Sequence, residues 1–377
     1  MRICIISTDY PEEGRPVFTF VKNIVDALAD RGNECIVIAP FSVTKNKCLH
    51  KIYETYTTAK GSVVEVWRPN YLSLSNLKLM GCNISGLMHK QAVNRALKKI
   101  KKKPDVMYCH FWISGLEGYP FAKKHNIPLF VASGESEIPQ SVMNDKYKDF
   151  YDYVSGVICV STKNKEESIV NGLTIAEKCV VIPNAINNNI FKKFDKSKCR
   201  KKLGINNNQF VVISTGAFIN RKGTNRISSA ISKISDDVYT IFIGSGPETP
   251  TCKNILFQGR VENKDIPTYL NAADVFVLPT LREGCCNAII EAMACGLPII
   301  SSDKSFNWDI LNDENSILVD PMDINKIAEA IDILKKNSDL RNKLGYGSLA
   351  TVQDLTIEKR AEKIDNYIKE NYGSKQY

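Results

Sequence analysis

Glu283 and Glu291 stand eight residues apart in REGCCNAIIEAMACGLPII, between two apolar runs, VFVLPT at 275–280 and LPIIS at 297–301. Short apolar runs of this kind fill the middle of a parallel sheet, so the carboxylates fall in a stretch that reads as strand, turn, helix, strand. Charge placed there is costly unless something pairs with it. Asn287 is the expected N-cap of the intervening helix, and Gly296 followed by Pro298 its expected stop. With that cap, the amides of Ala288, Ile289 and Ile290 lack helical partners and point into the loop of Glu283, Gly284, Cys285 and Cys286. A free helix N-terminus beside a small-residue loop suits an anion. Glu291, one turn in, then suits a hydroxyl donor, because two negative groups on one spot repel. A nucleotide sugar carries both kinds of group.

A second source of positive charge lies in STGAFINRKGTNRI, where Arg221 and Lys222 follow the strand FVVIST and Gly216 and Gly223 permit close backbone approach. Adjacent cations beyond a sheet edge suit a diphosphate, whose charge grows as it leaves. GSGPE at 244–248 reads as a plain Gly-rich turn. In the first half, STDYPEEGRPVFTF brings Gly14 and Arg15 to the expected start of the helix FVKNIVDALADRG. His110 follows the strand DVMYC at once, either a core histidine or a group on the rim where site residues gather. Gly134, Glu135 and Glu137 in ASGESEIP reach the same rim, where the carboxylates meet a polar acceptor or simply start a helix.

The elements that must position these residues are legible as alternation. Strand-like runs at 2–7, 35–39, 63–67, 105–109, 128–132, 156–161 and 179–183 are separated by helical stretches; an Asn-rich, basic segment interrupts them, and the pattern restarts at 210–215, 239–246, 254–259, 274–279, 297–301 and 316–321. The expected class is α/β, with two tandem Rossmann-like, doubly wound domains. Their expected bounds are 1–185, joined by a C-terminal helix over 356–377, and 186–355. In such sheets ligands bind at the C-terminal ends of the strands, so two sets of loops facing one cleft would hold a ligand between the domains.

Composition sets outer limits. At 377 residues the chain exceeds the roughly 250–300 residues of a single core. No apolar run reaches the ~18–20 residues that span a bilayer, and the start reads as strand and turn, so the expected compartment is cytoplasmic. The twelve cysteines are scattered without any C-x-x-C, and none of the four histidines pairs with one at ligand spacing, so no metal site is expected. The +9 charge is concentrated at Lys98–Lys103 and Lys192–Lys202. Solvated helix faces explain such runs; so does an anionic membrane surface, which the leucine-rich loop at 71–88 before a basic helix ending in Lys98–Lys103 favours. Aromatic residues do not interleave with the cations, which argues against nucleic acid. The chain also lacks G-x-x-x-x-G-K-[ST] and D-x-D, the parts a P-loop nucleotidase or a metal-dependent sugar transferase needs.

The run E-G-C-C-N-A-I-I-E at 283–291 resembles the Glu-x7-Glu motif of glycosyltransferase family 4, retaining enzymes of the GT-B fold that use nucleotide sugars. The likeness continues through GAFINRKG at 216–223, GSGPE, FQGRV at 257–261, YLNAADVFVLPT, AMACGLPIISSD and the hinge-like VIPNAINNNIF at 181–191. It implies that Glu291 bonds the donor ribose, Glu283 contacts sugar hydroxyls, and the chain from Gly284 through Asn287 holds sugar and phosphate. Gly14, Arg15, Gly216, Arg221 and Lys222 would complete the donor side, with Arg260 and Val261 beside the base, and His110 near the transferred sugar. The implied catalytic set is His110, Arg221, Lys222 and Glu283. The donor would be a UDP or GDP sugar, used as co-substrate without a separate cofactor or metal, and the acceptor a glycan or lipid-linked hydroxyl at the inner membrane face. The C-terminal helix would cross back to the first domain. Three positions depart from the pattern: Ala217 stands for the usual Arg, Gly14-Arg15 for Gly-Gly, and Ser133-Gly134 for His-Gly. A nucleotide-sugar epimerase and a non-catalytic homologue that acts as a binding partner share the same architecture.

Overall fold

The computed structural model describes residues 1–44, 50–74, 78–79 and 82–372. It divides into a first unit, Met1–Ile182 with Ile357–Tyr377, and a second, Pro183–Thr356.

In the first unit eight strands form one sheet: β1 (Arg2–Ile6), β2 (Glu34–Ile38), β3 (Tyr53–Thr57), β4 (Val63–Trp67), β5 (Val106–His110), β6 (Leu129–Ser133), β7 (Gly156–Cys159) and β8 (Cys179–Val181). Their order is β8-β7-β6-β5-β1-β2-β4-β3. All pair in parallel except β3 against β4. Strand β3 is absent from the sequence reading because YETYT is an edge strand with no buried residue, so it carries no apolar run. Alternate residues of β1 serve opposite faces: Ile3 and Ile5 join one core, Cys4 and Ile6 the other. The C-terminal helix Ile357–Tyr372 completes the first core through Ala361, Ile364 and Ile368. Its Asp365 accepts from Asn33 Nδ2 at 3.1 Å and Arg31 Nε at 3.3 Å, which seats the helix on this unit.

Two expectations about helix ends need correction. Helix α1 (Thr19–Asp30) begins four residues after Arg15, so Gly14 and Arg15 lie in a turn closed by a Glu12–Arg15 bridge. Helix α2 (Ile84–Leu97) ends before the lysines, so Lys98–Lys103 form an exposed turn after it. The exposed Leu72, Leu74 and Leu87 lie toward the other end of α2, where Leu74 N–H donates to Ser85 Oγ at 2.9 Å. Fourteen helical residues rise about 21 Å, so leucines and lysines do not make one patch. Residues 75–77 and 80–81 of that leucine-rich loop lie outside the described residues.

The second unit is a six-stranded parallel sheet: β9 (Phe210–Thr215), β10 (Val238–Ile243), β11 (Ile255–Gly259), β12 (Val275–Leu278), β13 (Ile299–Ser302) and β14 (Ser316–Val319), in the order β11-β10-β9-β12-β13-β14. The chain winds outward from β9 to β11, then returns to β12 on the other side of β9. That reversal opens a crevice past the ends of β9 and β12, where parallel sheets bind ligands. In the basic helix Lys196–Leu203, Lys196 and the buried Arg200 both pair with Asp274, so two of its cations serve packing.

Candidate functional site

The crevice of the second unit gathers residues from its two flanking loops. After β9 the chain turns at Gly216 and runs through a short 3-10 turn, Asn220–Lys222, before the helix Thr224–Ile231. After β12, Thr280 and Glu283 lead into helix α4 (Asn287–Ala294). Glu283 Oε1 is the meeting point: Arg221 Nη1 lies 2.6 Å away, Lys222 Nζ 2.7 Å and the Thr280 hydroxyl 2.9 Å. Arg221 also donates to the Arg282 carbonyl at 2.6 Å. One carboxylate thus holds two cations side by side and leaves the cluster with net positive charge. Lys222 is half-buried; burial works against its charged form, but Cys286 and Glu283 outweigh it and raise its pKa above the ordinary value.

The helix N-terminus differs from expectation in its cap. Cys286 takes the N-cap position with extended backbone, and Asn287 is the first helical residue. The reason is a distant partner: Asn184 Nδ2 donates to Asn287 Oδ1 and to the Cys285 carbonyl, each at 2.9 Å, which draws the Asn287 side chain away from the helix amides. The Cys286 thiol faces the Ala288 and Ile289 amides instead, with Lys222 Nζ 3.8 Å from its sulfur. Asn184 and Thr280 escaped the sequence reading. Asn184 lies in the hinge-like segment VIPNAI, but nothing local signals a bond to a loop a hundred residues on.

Glu291 sits one turn into α4. Burial pushes its carboxyl up to about 7, against the pull of Lys222. In the unfolded chain an ordinary glutamate ionises near 4.5, so as pH rises from about 4.5 to 7 the unfolded state loses its proton first and folding loses stability over that window. We expect Glu291→Gln, which removes the buried charge, to match wild-type thermal stability near pH 4.5 and exceed it near pH 8. A pH-independent difference in melting temperature would refute the assignment.

Two glycines press the site loops together. Gly216, with φ 145°, lies beside the Lys222 methylenes, and a Cβ on Gly244 would lie 1.8 Å from the Gly216 carbonyl oxygen. The GSG turn is therefore the buttress of the Lys222 loop. Arg260, exposed just past β11, donates from Nε to Ser245 Oγ at 2.7 Å, and Val261 follows it half-buried.

The first-unit residues are placed separately, around its own chain reversal beside β1 and β5. His110 ends β5, 3% exposed, among Phe20, Tyr108 and Phe111. Burial, reinforced by Arg360, lowers its pKa to about 3, so the imidazole is neutral, and its Nε2 has no hydrogen-bond partner among the described residues. Arg15 is taken by Asp9 and, at 3.5 Å, Glu12, rather than offered at a helix start. Glu135 turns inward and accepts from the backbone N–H of Trp112 and Gly134, each at 2.9 Å, so it satisfies the first amide of helix α3 (Trp112–His125). Burial raises its pKa against those bonds. Gly134 is half-buried against Val160, and Glu137 is exposed. Two hollows elsewhere, of about 520 Å³ beside Asn144 and about 150 Å³ beside Tyr346, contain none of the candidate residues. Among the described residues no helix is long and apolar enough to cross a membrane.

Known proteins match the chain over both units. The family described as glycosyl transferases group 1 matches residues 195–349, and the one described as glycosyltransferase family 4 matches residues 17–189. A Bacillus subtilis protein named as a teichuronic acid biosynthesis glycosyltransferase is 28% identical over 355 residues, covering 88% of each chain. An Escherichia coli protein named UDP-Gal:alpha-D-GlcNAc-diphosphoundecaprenol alpha-1,3-galactosyltransferase is 28% identical over 325 residues, covering 76% of this chain and 81% of its own. Among solved structures, a sucrose-phosphate synthase from Thermosynechococcus elongatus superposes with a TM-score of 0.80 over 99% of both chains at 18% identity.

Proposed function

The chain is a glycosyltransferase of the GT-B fold, and on that premise we propose that it moves a sugar, with retention of configuration, from a nucleotide diphosphate to a hydroxyl of a glycan or lipid-linked acceptor in cell-surface polysaccharide assembly. The observation that carries this reading is the crevice of the second unit, where Arg221, Lys222 and the start of α4 surround Glu283 at the point where the sheet reverses. Cations and helix amides there favour a diphosphate, and Glu283 and Glu291 offer acceptors to hydroxyls. The likeness to the Escherichia coli galactosyltransferase, whose name includes a UDP sugar and a diphosphoundecaprenol acceptor, supports a UDP donor and a lipid-linked acceptor.

The chemistry follows from what the residues can do. Glu283 is committed to two cations and a hydroxyl, which leaves it a poor covalent nucleophile. A front-face path fits better: the bond from the anomeric carbon to the phosphate oxygen breaks, the acceptor oxygen bonds the same face, and its proton passes to the departing phosphate. Lys222, Arg221 and the α4 amides stabilise the charge that develops on that phosphate, which lets the step run without a metal. His110, neutral, would serve as a hydrogen-bonding group in the first unit. Gly134 and Glu137 belong to the acceptor side of this reading, and work at the inner membrane face follows from a lipid-linked acceptor.

A thermal-shift panel of UDP, GDP and ADP sugars tests the donor. A cognate donor at a hundred times its dissociation constant should stabilise the protein by about 2.7 kcal/mol, a clear rise in melting temperature. Absence of any shift at saturating ligand would favour a non-catalytic role.

A further inference from the structure

We propose that Trp308 forms an acceptor-saccharide subsite on the rim of the second unit; this rests on the transferase reading above. The residue lies in the loop after β13, at the same sheet edge as the loops that hold Lys222 and Glu283. Of the three tryptophans, Trp112 is fully buried and Trp67 half-buried, whereas Trp308 is 58% exposed. Its exposure does not come from a loose loop. Phe306 and Asn307 beside it are buried, and Asn307 Nδ2 donates to the Ser302 carbonyl at 2.8 Å and to Ser301 Oγ at 3.2 Å. The indole is itself oriented, its Nε1 donating to Asp303 Oδ1 at 2.8 Å. The protein thus fixes a large flat ring with its apolar area in solvent, which is how aromatic side chains serve recognition rather than packing.

The neighbouring loop extends the surface. Asp303 N–H donates to the Val319 carbonyl at 2.8 Å, which ties the start of the Trp308 loop to the end of β14. Just beyond, Met322 is 61% exposed, its N–H held by Asp320 Oδ1 at 2.9 Å. The link to the chemistry is equally direct: Ser302 Oγ donates to the Thr280 carbonyl at 2.5 Å, and the Thr280 hydroxyl donates to Glu283. Strands lie about 4.8 Å apart, so the loop after β13 is one strand from the donor loop, within reach of a saccharide bound beside it.

The charges select the occupant. Asp303 and Asp320 are exposed around the two apolar side chains, with Asp309 half-buried and Lys304 the cation of the same loop. An anionic membrane or a phospholipid headgroup would be repelled by such a rim. A neutral saccharide suits it, its C–H face against the indole and its hydroxyls donating to the carboxylates.

Acrylamide quenching of tryptophan fluorescence, taken as the difference between wild type and Trp308→Phe, reads Trp308, because Trp67 and Trp112 contribute to both. With wild-type protein and a UDP sugar that shifts its melting temperature, we expect decyl glycosides of N-acetylglucosamine or galactose, kept below micelle formation, to protect the emission. Trp308→Ala should raise the acceptor KM roughly threefold to tenfold, the worth of one aromatic contact, while the donor KM, kcat and melting temperature stay near wild type; Trp308→Phe should recover most of the loss. A wild-type acceptor KM in Trp308→Ala would overturn the proposal, as would protection by vesicles of anionic phospholipid in place of the glycosides. Failure of every nucleotide sugar to bind the wild-type protein would instead overturn the transferase reading beneath it.

Discussion

Lys222→Met should lower kcat by about 10²–10³ with the nucleotide sugar that proves to be the donor, the cost expected for removing one preorganised group from a developing oxyanion. The ammonium is half-buried, held at 2.7 Å from Glu283 and 3.8 Å from the Cys286 sulfur, and the Glu283 carboxylate keeps it charged. It therefore needs no reorganisation when charge appears on the leaving phosphate. Methionine keeps much of the stem that packs on Gly216 and removes only the charge. Arg221→Met should cost less, because that side chain is more exposed and part of its hydrogen bonding goes to the Arg282 carbonyl. The donor KM should change less than kcat in both variants, since the interaction strengthens as the bond breaks. Single-turnover rates for Lys222→Met within threefold of wild type would remove the lysine from the mechanism.

Gly244→Ala should be the most damaging small substitution in the second unit. Its Cβ would lie 1.8 Å from the Gly216 carbonyl oxygen, a backbone atom rather than the end of a flexible side chain, and the residue sits at φ 151°. Relief requires the Gly216 turn to move, which breaks the pairing of Phe218 N–H with the Ser245 carbonyl at 3.0 Å and shifts Lys222. Overpacking with backbone strain of this kind costs about 3–5 kcal/mol, a fall in melting temperature of roughly 10 °C or more in a domain of this size. Gly204→Ala is the control: its φ of 70° is also left-handed, but no atom lies within 4 Å of the added Cβ. It should lose only about 1 kcal/mol. Equal melting temperatures for the two variants would show that the close approach of the loops is not rigid.

Much of this site was legible because it is written in local pattern. The small-residue loop between two apolar strands placed Gly284, Cys285 and Cys286 before a helix, and the cations after FVVIST fell in the neighbouring crevice loop. What local pattern could not carry was competition for the same polar groups. Asn287 has the side chain of an N-cap, yet Asn184 claims its oxygen and Cys286 takes the cap. Arg15 has the charge for an anion, yet Asp9 and Glu12 hold it. Glu135 reads as a rim carboxylate, yet it accepts the Trp112 amide. The partners of Asn287 and Glu135 are remote in sequence, and Arg15 is held within its own turn because α1 starts only at Thr19.

The sequence by itself determined the two α/β halves and the run of residues that forms the second-unit crevice, because strand and helix periodicities and turn residues act over a few positions and survive without tertiary context. Only the tertiary structure decided the electrostatics. It put Glu283 between Arg221 and Lys222, buried Glu291 enough to push its carboxyl up to about 7, and left His110 neutral. Charge state depends on burial and on which groups converge from distant strands, and neither is a property of neighbours along the chain.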